Sequence, residues 1–325
     1  MRYIIFGAGA IGGTLGARLH MHGADVLLIA RGAHYKKLAS HGLTYRNPEM
    51  QQTLPIAVAD HPAAITYGPE DVLLLTMKSQ HTEAALADLA RVAPPDLPII
   101  CAQNGVANES MAARMFRHVY AMVVMLPATH LVPGEVLHHV TGIGGVLDAG
   151  CYGQGVDACI EQVATDLTGA GFRCAADPAP MRWKYAKLLQ NLGNALQAVC
   201  GADADLKELM TLLRTEALAC YQAAGIACAS RDEVRARQGQ GMVMGDIKGI
   251  AHEGGSSWQS LSRGTGDIEA DYLNGEICLL GRRHGVATPA NEVVRYLANQ
   301  AAYQHLPPGQ HSVAEVKRLI ADLTV

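Results

Sequence analysis

The sequence lacks the features that mark several large classes of protein. Its eight cysteines contain no C-x-x-C pair, a spacing that suits neither a zinc site nor a small disulfide framework, so we expect reduced thiols in a cytosolic protein. Apolar runs such as residues 121–126 are far too short to span a bilayer. The chain begins without a basic segment followed by a long apolar one, and it shows no internal repeats or low-complexity tails. Together these absences predict a soluble, cytoplasmic protein.

The charge balance excludes further classes of partner. The net charge of −4 argues against a nucleic-acid or anionic-membrane partner, because a mildly acidic surface attracts neither. A metal site has little support, since neighbours such as His138 and His139 point to opposite faces of a strand. Hydrophobic residues make up 49% of the chain and charged residues 17%, an ordinary globular composition. A length of 325 residues favours two domains.

The first 175 residues alternate short apolar runs with helical patterns. The predicted strands are residues 2–6, 25–30, 71–77, 98–101 and 118–125. The predicted helices between them are residues 11–22, 82–91 and 108–115. This alternation predicts an α/β fold with a parallel sheet covered on both faces.

The pattern changes in the second half of the chain. A glycine-rich stretch, residues 133–155, predicts hairpins and turns, and a helix near 156–170 and a strand near 172–175 follow it. After the segment Asp177-Pro178-Ala179-Pro180 comes a long helical pattern over 181–200, followed by more helical segments with few strand signals. We therefore expect a domain boundary near residue 178, with an α/β domain over 1–178 and an all-α domain over 179–325.

A glycine-rich turn, "GAGAIGG", follows the first predicted strand. Gly7, Gly9 and Gly12 have the spacing G-x-G-x-x-G, and the turn opens a helix at Ala10 and Ile11. Unpaired backbone N–H groups and the helix dipole at the start of this helix favour binding of a pyrophosphate. Gly7 would permit the tight turn, Gly9 would let the phosphates approach the backbone, and Gly12 would let the helix pack closely on the strand. A plain strand–helix turn is the alternative.

The end of the second predicted strand bears on the choice of dinucleotide. In NAD-binding sites an acidic residue near this point binds the ribose hydroxyls, but here the strand ends in Arg31, 19 residues after Gly12. A guanidinium binds a 2′-phosphate through paired, charge-assisted hydrogen bonds, so NADPH is favoured over NADH. A solvated surface charge is the alternative for Arg31.

Polar residues follow two other predicted strands, where parallel sheets bind their ligands. Lys78 to His81 come after one strand, and Gln103 and Asn104 come after another. Taken singly, Lys78 is an ordinary loop charge and Asn104-Gly105 an ordinary turn. Together they favour the nicotinamide and substrate end of a dinucleotide site.

The long helix of the second half carries a polar stripe. Lys184, Lys187, Asn191 and Asn194 have spacings of 3, 4 and 3, which place them on one helix face. The stripe lacks the Glu–Lys pairs typical of a solvated face and resembles the wall of a polar cleft, with a surface stripe as the alternative. Further on, a glycine- and serine-rich loop with Ser256 and Ser257 leads towards a helix over 269–276.

These motifs resemble those of the ketopantoate reductase (2-dehydropantoate 2-reductase) family over nearly the whole chain. The resemblance rests on the glycine turn, Arg31, Lys78, "QNG", the helix with Lys187 and Asn191, and "SSWQ" followed by Glu269. The segment "DIEADYLNGEI…HGVATPAN" matches the family pattern E-x-D-Y-x-N-G and H-G-x-x-x-P. The resemblance implies an N-terminal Rossmann domain, a C-terminal helical domain and an active site between them.

The resemblance also implies the reaction and the roles of the residues. The reaction is NADPH-dependent reduction of 2-dehydropantoate to (R)-pantoate, with Lys187 as general acid assisted by Glu269. The implied substrate ligands are Asn104, Asn191, Asn194 and Ser257. The implied cofactor contacts are Gly7, Gly9, Ala10, Ile11, Gly12, Arg31, Lys78, Asn104 and Glu269. A homodimer is left open.

Three features depart from the family pattern. The family usually spaces its lysine and two asparagines by four and four, whereas Asn194 is three after Asn191 and position 195 is alanine. Lys184 is an alternative general acid, and His81 stands where the family commonly has glutamine. The glycine-rich segment 242–255 does not match the family closely. Two other functions therefore stay open: a reductase of another branched 2-oxo acid, and a non-catalytic NADPH-binding regulator.

Overall fold

The computed structural model describes residues 1–239, 241–247, 255–264 and 266–323, and these form two compact units. The first unit comprises Met1–Gln103, Asn108–Lys184 and the described part of Asp232–Ala251. The second comprises Asn104–Ala107, Tyr185–Arg231 and the described part of His252–Val325. The predicted segment 242–255 therefore lies partly outside the described residues.

Strands occur only in the first unit among the described residues. They are β1 (Arg2–Phe6), β2 (Asp25–Ile29), β3 (Leu43–Arg46), β4 (Gln51–Leu54), β5 (Ala57–Ala59), β6 (Asp71–Leu75), β7 (Ile99–Cys101), β8 (Val119–Met122), β9 (Ala128–Thr129), β10 (Glu135–His138), β11 (Val140–Gly142), β12 (Ala149–Cys151) and β13 (Met242–Met244).

The helices are distributed over both units. They are α1 (Ala10–Met21), α2 (Gly32–His41), α3 (Thr82–Ala90), α4 (Asn108–Ala112), α5 (Ala158–Gly169), α6 (Pro180–Cys200), α7 (Lys207–Ala224), α8 (Arg231–Gln238), α9 (Ser256–Ser262), α10 (Asn274–His284), α11 (Pro289–Tyr303) and α12 (Val313–Asp322). Short 3-10 turns cover Pro62–Ala64, Ser79–His81 and Glu269–Tyr272.

The main sheet confirms the predicted α/β fold. Its seven strands have the order β12-β8-β7-β6-β1-β2-β5, and every neighbouring pair is parallel except β12 with β8. Successive residues of β1 enter different clusters: Tyr3 and Ile5 pack in one, Ile4 and Phe6 in the other. Since successive strand residues face opposite sides, both faces of the sheet are covered by apolar packing.

A second sheet in the same unit has no counterpart among the predicted strands. Its four strands have the order β4-β3-β10-β9, and β3 pairs in parallel with β10. Strand β13 pairs antiparallel with β11. The strand predicted over 172–175 is wrong, because only isolated bridges form, at Arg173 and Ala176. The parallel pairing of β3 with β10 escapes prediction because the two strands lie far apart in the sequence, and β4 and β9 are only four and two residues long.

A polar network of half-buried Glu216 with buried Asn274 and Asn291 organises the second unit. The Glu216 carboxylate on α7 accepts hydrogen bonds from the backbone N–H groups of Ala290 (2.8 Å) and Asn291 (3.0 Å), at the start of α11. The Asn291 amide donates to Glu216 (2.7 Å), and Asn274 at the start of α10 donates to the Asn291 side chain (3.0 Å) and to the Leu192 carbonyl on α6 (3.2 Å). Burial raises the pKa of Glu216. The network thus links α6 with α7, α10 and α11.

Two local predictions in the second unit need correction. Residues 256–262, expected as a loop, form helix α9, whose N-cap is Gly255. The helix expected over 269–276 is broken: a 3-10 turn ends at Tyr272 and α10 begins at Asn274. Among the described residues, no helix is long and apolar enough to cross a membrane.

Candidate active site

The glycine turn lies at the carboxyl ends of β1 and β6. Gly7 has φ +106°, and a β-carbon there would lie 2.9 Å from the Met77 backbone nitrogen. The parallel pairing of β1 with β6 brings Thr76 beside the turn, where its hydroxyl donates to the carbonyls of Phe6 (3.0 Å) and Gly7 (2.8 Å). The turn is therefore held by backbone conformation and by a threonine that sequence analysis did not single out.

Gly9 and Gly12 occupy different surroundings. A β-carbon at Gly12 would lie 2.3 Å from both the Gly7 carbonyl oxygen and the Thr76 hydroxyl oxygen, whereas a β-carbon at Gly9 would have nothing within 4 Å. Gly9 is the N-cap of α1, and neither a side-chain cap nor an acidic residue occupies the first turn. The first-turn N–H groups, at Ala10, Ile11 and Gly12, thus face an open approach, which suits a phosphate group.

His34 on α2 fixes the same turn from another direction. Its Nδ1 accepts from the Gly134 backbone N–H (2.9 Å), so Nε2 carries the proton and donates to the Ala8 carbonyl (2.7 Å). Burial, together with the neighbouring His130, lowers the pKa of His34 and favours the neutral ring. No sequence motif marked His34, because its partners are distant residues.

The three other predicted cofactor contacts of the first half lie at the ends of strands. Arg31 is exposed and forms the N-cap of α2, a helix without an acidic residue in its first turn. Lys78 is half-buried between β6 and the turn Ser79–His81, and Asn104 is half-buried after β7.

The polar stripe of α6 divides into two environments. Lys184 is buried and its ammonium forms an ion pair with Glu109 on α4, a residue that sequence analysis did not identify. Lys187 is half-buried, and its Nζ lies 3.4 Å from the Gln190 side-chain oxygen. Burial lowers the pKa of the Lys187 ammonium. Lys184 is therefore engaged in an ion pair, whereas burial disfavours the charged form of Lys187.

Two predicted substrate ligands have buried polar atoms without partners. Within the described residues, Asn191 Nδ2 on α6 and Ser257 Oγ on α9 have no hydrogen-bond partner, although Asn191 is 4% exposed and Ser257 2% exposed. A buried polar group without a partner costs about 1–3 kcal/mol, a penalty that a ligand bonded to these two atoms would remove.

Helix α6, which carries Asn191, contacts the start of α9, which carries Ser257, from about one helical turn after Asn191. The Asn194 amide lies 3.5 Å from the Ser256 hydroxyl, and the Gln197 side-chain oxygen accepts from the Gly255 backbone N–H (2.8 Å). Asn194 thus lies at the start of α9, and the Gln197 side chain caps the N-terminus of that helix from α6. Gln197 went unnoticed because capping by a distant residue leaves no local signal.

Glu269 is buried, at the first residue of the 3-10 turn before α10. Both Glu269 and Lys187 belong to the second unit. The predicted cooperation of the two groups stays a prediction.

Comparison with known proteins covers nearly the whole chain. The family model described as "Ketopantoate reductase PanE/ApbA" matches residues 3–153, and "Ketopantoate reductase PanE/ApbA C terminal" matches residues 180–302. A protein of Archaeoglobus fulgidus named 2-dehydropantoate 2-reductase is 29% identical over 308 residues, which cover 90% of this chain and 95% of that protein.

Solved structures share the fold. A PanE/ApbA family ketopantoate reductase from Ralstonia eutropha JMP134 superposes with a TM-score of 0.78 at 25% identity, covering 94% of this chain and 99% of that one. D-mandelate dehydrogenase, in a ternary structure with NADH and anilino(oxo)acetate, gives a TM-score of 0.79 at 22% identity, covering 94% of this chain and 99% of that one. The second likeness is one of fold alone.

The contrast between Gly9 and Gly12 gives a matched pair of variants. We expect Gly9→Ala to keep the wild-type free energy of unfolding but to weaken dinucleotide binding at least about 10-fold, because the methyl group fills the open approach to the first-turn N–H groups. Gly12→Ala should lower the free energy of unfolding by about 1–3 kcal/mol through overpacking. Urea unfolding and fluorescence titration with NADPH measure the two quantities. Equal stability losses in both variants would contradict this account of the turn.

Proposed function

The chain belongs to the ketopantoate reductase family, and from this premise we propose that it catalyses the NADPH-dependent reduction of 2-dehydropantoate to (R)-pantoate, on the route to pantothenate and coenzyme A. The observation that carries the proposal is the pair of buried, unpartnered polar atoms of Asn191 and Ser257. Both lie in the unit that also holds Lys187, whose pKa burial lowers. An amide and a hydroxyl suit the carboxylate and hydroxyl of a hydroxylated 2-oxo acid.

The residues of the first unit fit a nicotinamide dinucleotide. The open side of Gly9 and the uncapped start of α1 would hold the pyrophosphate, as the resemblance assigns to Gly7, Gly9 and Gly12. Arg31, exposed at the N-terminus of α2, would bind the 2′-phosphate, which favours NADPH. Lys78, Asn104 and Glu269 are the further contacts we propose for this cofactor. When bound, the cofactor supplies a hydride to the 2-oxo carbon.

Lys187 has the central chemical role in this proposal. As the 2-oxo carbon is reduced, its oxygen becomes an alkoxide, and a positive donor already in place stabilises that charge and then gives up a proton. Glu269 would assist by keeping the ammonium charged, against the effect of burial. Asn104, Asn191, Asn194 and Ser257 would orient the substrate.

A second candidate rests on the asparagine spacing of α6. Asn194 approaches the Ser256 hydroxyl, and Ala195 is fully buried at the position where the family usually has its second asparagine. The site therefore lacks one amide donor that the family pattern supplies, which favours another branched 2-oxo acid as substrate. Three further expectations stay predictions: the boundary near residue 178, a homodimer and a cytoplasmic location.

Substrate choice is tested by turnover. NADPH oxidation, followed by absorbance, is measured with 2-dehydropantoate beside a panel of other 2-oxo acids. We expect kcat/KM to be highest for 2-dehydropantoate, because Asn191 and Ser257 offer partners for both its carboxylate and its hydroxyl. A higher value with another 2-oxo acid would favour the second candidate. NADPH binding without turnover on any of them would favour a regulator.

The general acid is tested by pH dependence. A proton donor works only while protonated, so we expect kcat to fall as pH rises through the pKa of Lys187, which burial places below its usual value of 10.5. Lys187→Met should lower kcat about 10²- to 10⁴-fold, remove this alkaline limb and leave NADPH affinity unchanged. Lys317→Met, which breaks a surface ion pair with Glu208, is the control and should behave as wild type. An alkaline limb that persists in Lys187→Met would assign the proton to another group.

Cofactor choice is tested at Arg31. Arg31→Asp should raise the Kd of NADPH about 10- to 100-fold, because charge-assisted hydrogen bonds to the 2′-phosphate are lost, and should leave the Kd of NADH within about 3-fold. Arg91→Asp, another exposed arginine of the first unit, is the control. Equal weakening of NADPH and NADH would show that Arg31 does not touch the 2′-phosphate.

A further inference from the structure

The buried ion pair between Lys184 and Glu109 lies where the chain leaves β7 for the turn that carries Asn104. We propose that Lys184 and Glu109 are a positioning pair for that turn, and that Lys184 acts on the reaction through Asn104 rather than as a proton donor. The proposal rests on the function proposed above, since it takes Asn104 to contact substrate or cofactor.

The contacts of the Lys184 ammonium account for all its hydrogens. The Lys184 side chain is 2% exposed and that of Glu109 0%. Besides the Glu109 carboxylate, the ammonium reaches the carbonyl oxygens of Gln103 (2.9 Å) and Cys101 (3.5 Å). An ammonium has three N–H donors, and three acceptors surround this one. A buried lysine engaged in this way has no proton directed at a substrate.

The bond to Gln103 acts on Asn104 through one peptide group. The Gln103 carbonyl and the Asn104 backbone nitrogen belong to the same planar unit, so fixing the carbonyl fixes where the Asn104 backbone begins. The second acceptor, Cys101, lies at the end of β7. Lys184 therefore bonds to the backbone both at the end of β7 and in the turn that leads to Asn104.

Side chains hold the same turn against the loop after β6. The Gln103 amide donates to the Met77 carbonyl (2.7 Å) and to the Thr82 hydroxyl (2.8 Å). Thr82 donates to the Asn108 side chain (2.8 Å), and the Asn108 amide donates to the Ser79 hydroxyl (3.1 Å). These bonds join the two loops that carry Lys78 and Asn104, and Lys184 with Glu109 supplies the charged end of the network.

Folding stability alone does not explain the buried ion pair between Lys184 and Glu109. A buried ion pair often contributes no more to folding than apolar side chains of similar volume, because both charges lose their hydration. Apolar side chains, however, would leave the Gln103 carbonyl without the donor that Lys184 provides. Positioning of the turn is what the charged pair adds.

The test is a double-mutant cycle between Lys184→Met and Asn104→Ala, measured with the 2-oxo acid that the wild type reduces best. We expect K184M to lower kcat/KM about 10- to 100-fold in the wild-type background, a loss typical of a misplaced contact residue, and less than about 3-fold in the N104A background. The alkaline limb of kcat should persist in K184M. Arg117→Met, which breaks an exposed ion pair with Asp96 in the same unit, is the matched control and should stay within about 2-fold of its parent.

Several results would overturn the proposal. Equal losses from K184M in both backgrounds would mean that Lys184 does not act through Asn104. Loss of the alkaline limb of kcat in K184M would mean that Lys184 is the general acid. A kcat/KM of K184M equal to that of R117M would mean that the Lys184–Glu109 pair has a purely structural role. Should K184M fail to fold, K184M/E109L takes its place in the cycle with the same expectations, because it leaves no buried charge unpaired.

Failure of the proposed function would be separately visible. A wild-type protein that reduces none of the 2-oxo acids overturns that function and leaves the positioning proposal open to the same cycle. The cycle is then measured on the Kd of NADPH, where K184M should weaken binding in the wild-type background and not in N104A. Equal weakening in both backgrounds would again overturn the positioning role.

Discussion

The contact between Gly12 and the turn before it is the constraint on which the first unit's site depends. A β-carbon at Gly12 would come within 2.3 Å of the Gly7 carbonyl and the Thr76 hydroxyl, so helix α1 can start this close to the sheet only without a side chain there. The register of β1 with β6 brings Thr76 to that place, and Thr76 in turn holds the Gly7 carbonyl. Gly9, two residues after Gly7, keeps an open side.

Polar groups in the second unit differ in how their hydrogen-bonding capacity is met. Half-buried Glu216 and buried Asn291 bond to each other, and the Asn274 amide nitrogen bonds to Asn291 and to the Leu192 carbonyl, which links α6, α7, α10 and α11. Asn191 Nδ2 and Ser257 Oγ are buried without a partner among the described residues, as is the Asn274 side-chain oxygen. The bonded groups stabilise the helices, whereas an unpartnered atom carries an energetic penalty that a ligand bound to it would remove.

The two lysines of α6 show how far environment separates residues of the same type. Lys184 and Lys187 lie three residues apart on one helix face, and spacing alone treats them as equivalent candidates for the acid. Glu109, 75 residues away from Lys184 in sequence, engages the first ammonium, whereas the second lies 3.4 Å from the side-chain oxygen of Gln190. Their different chemistry follows from residues outside the helix.

The sequence by itself determined the features that depend on near neighbours. The apolar alternation predicted β1, β2, β6, β7 and β8 and the α/β class, and G-x-G-x-x-G marked the turn at Gly7, because strand, helix and turn preferences are local. The family motifs pointed to Lys187, Asn191 and Ser257 as candidates.

Only the tertiary structure decided which polar groups are satisfied. The pairing of β3 with β10, the capping of α9 by Gln197, the tautomer of His34 and the pairing of Lys184 with Glu109 all depend on residues far apart in the chain. No local pattern encodes such contacts, since hydrogen bonding and burial depend on what the fold places beside each group.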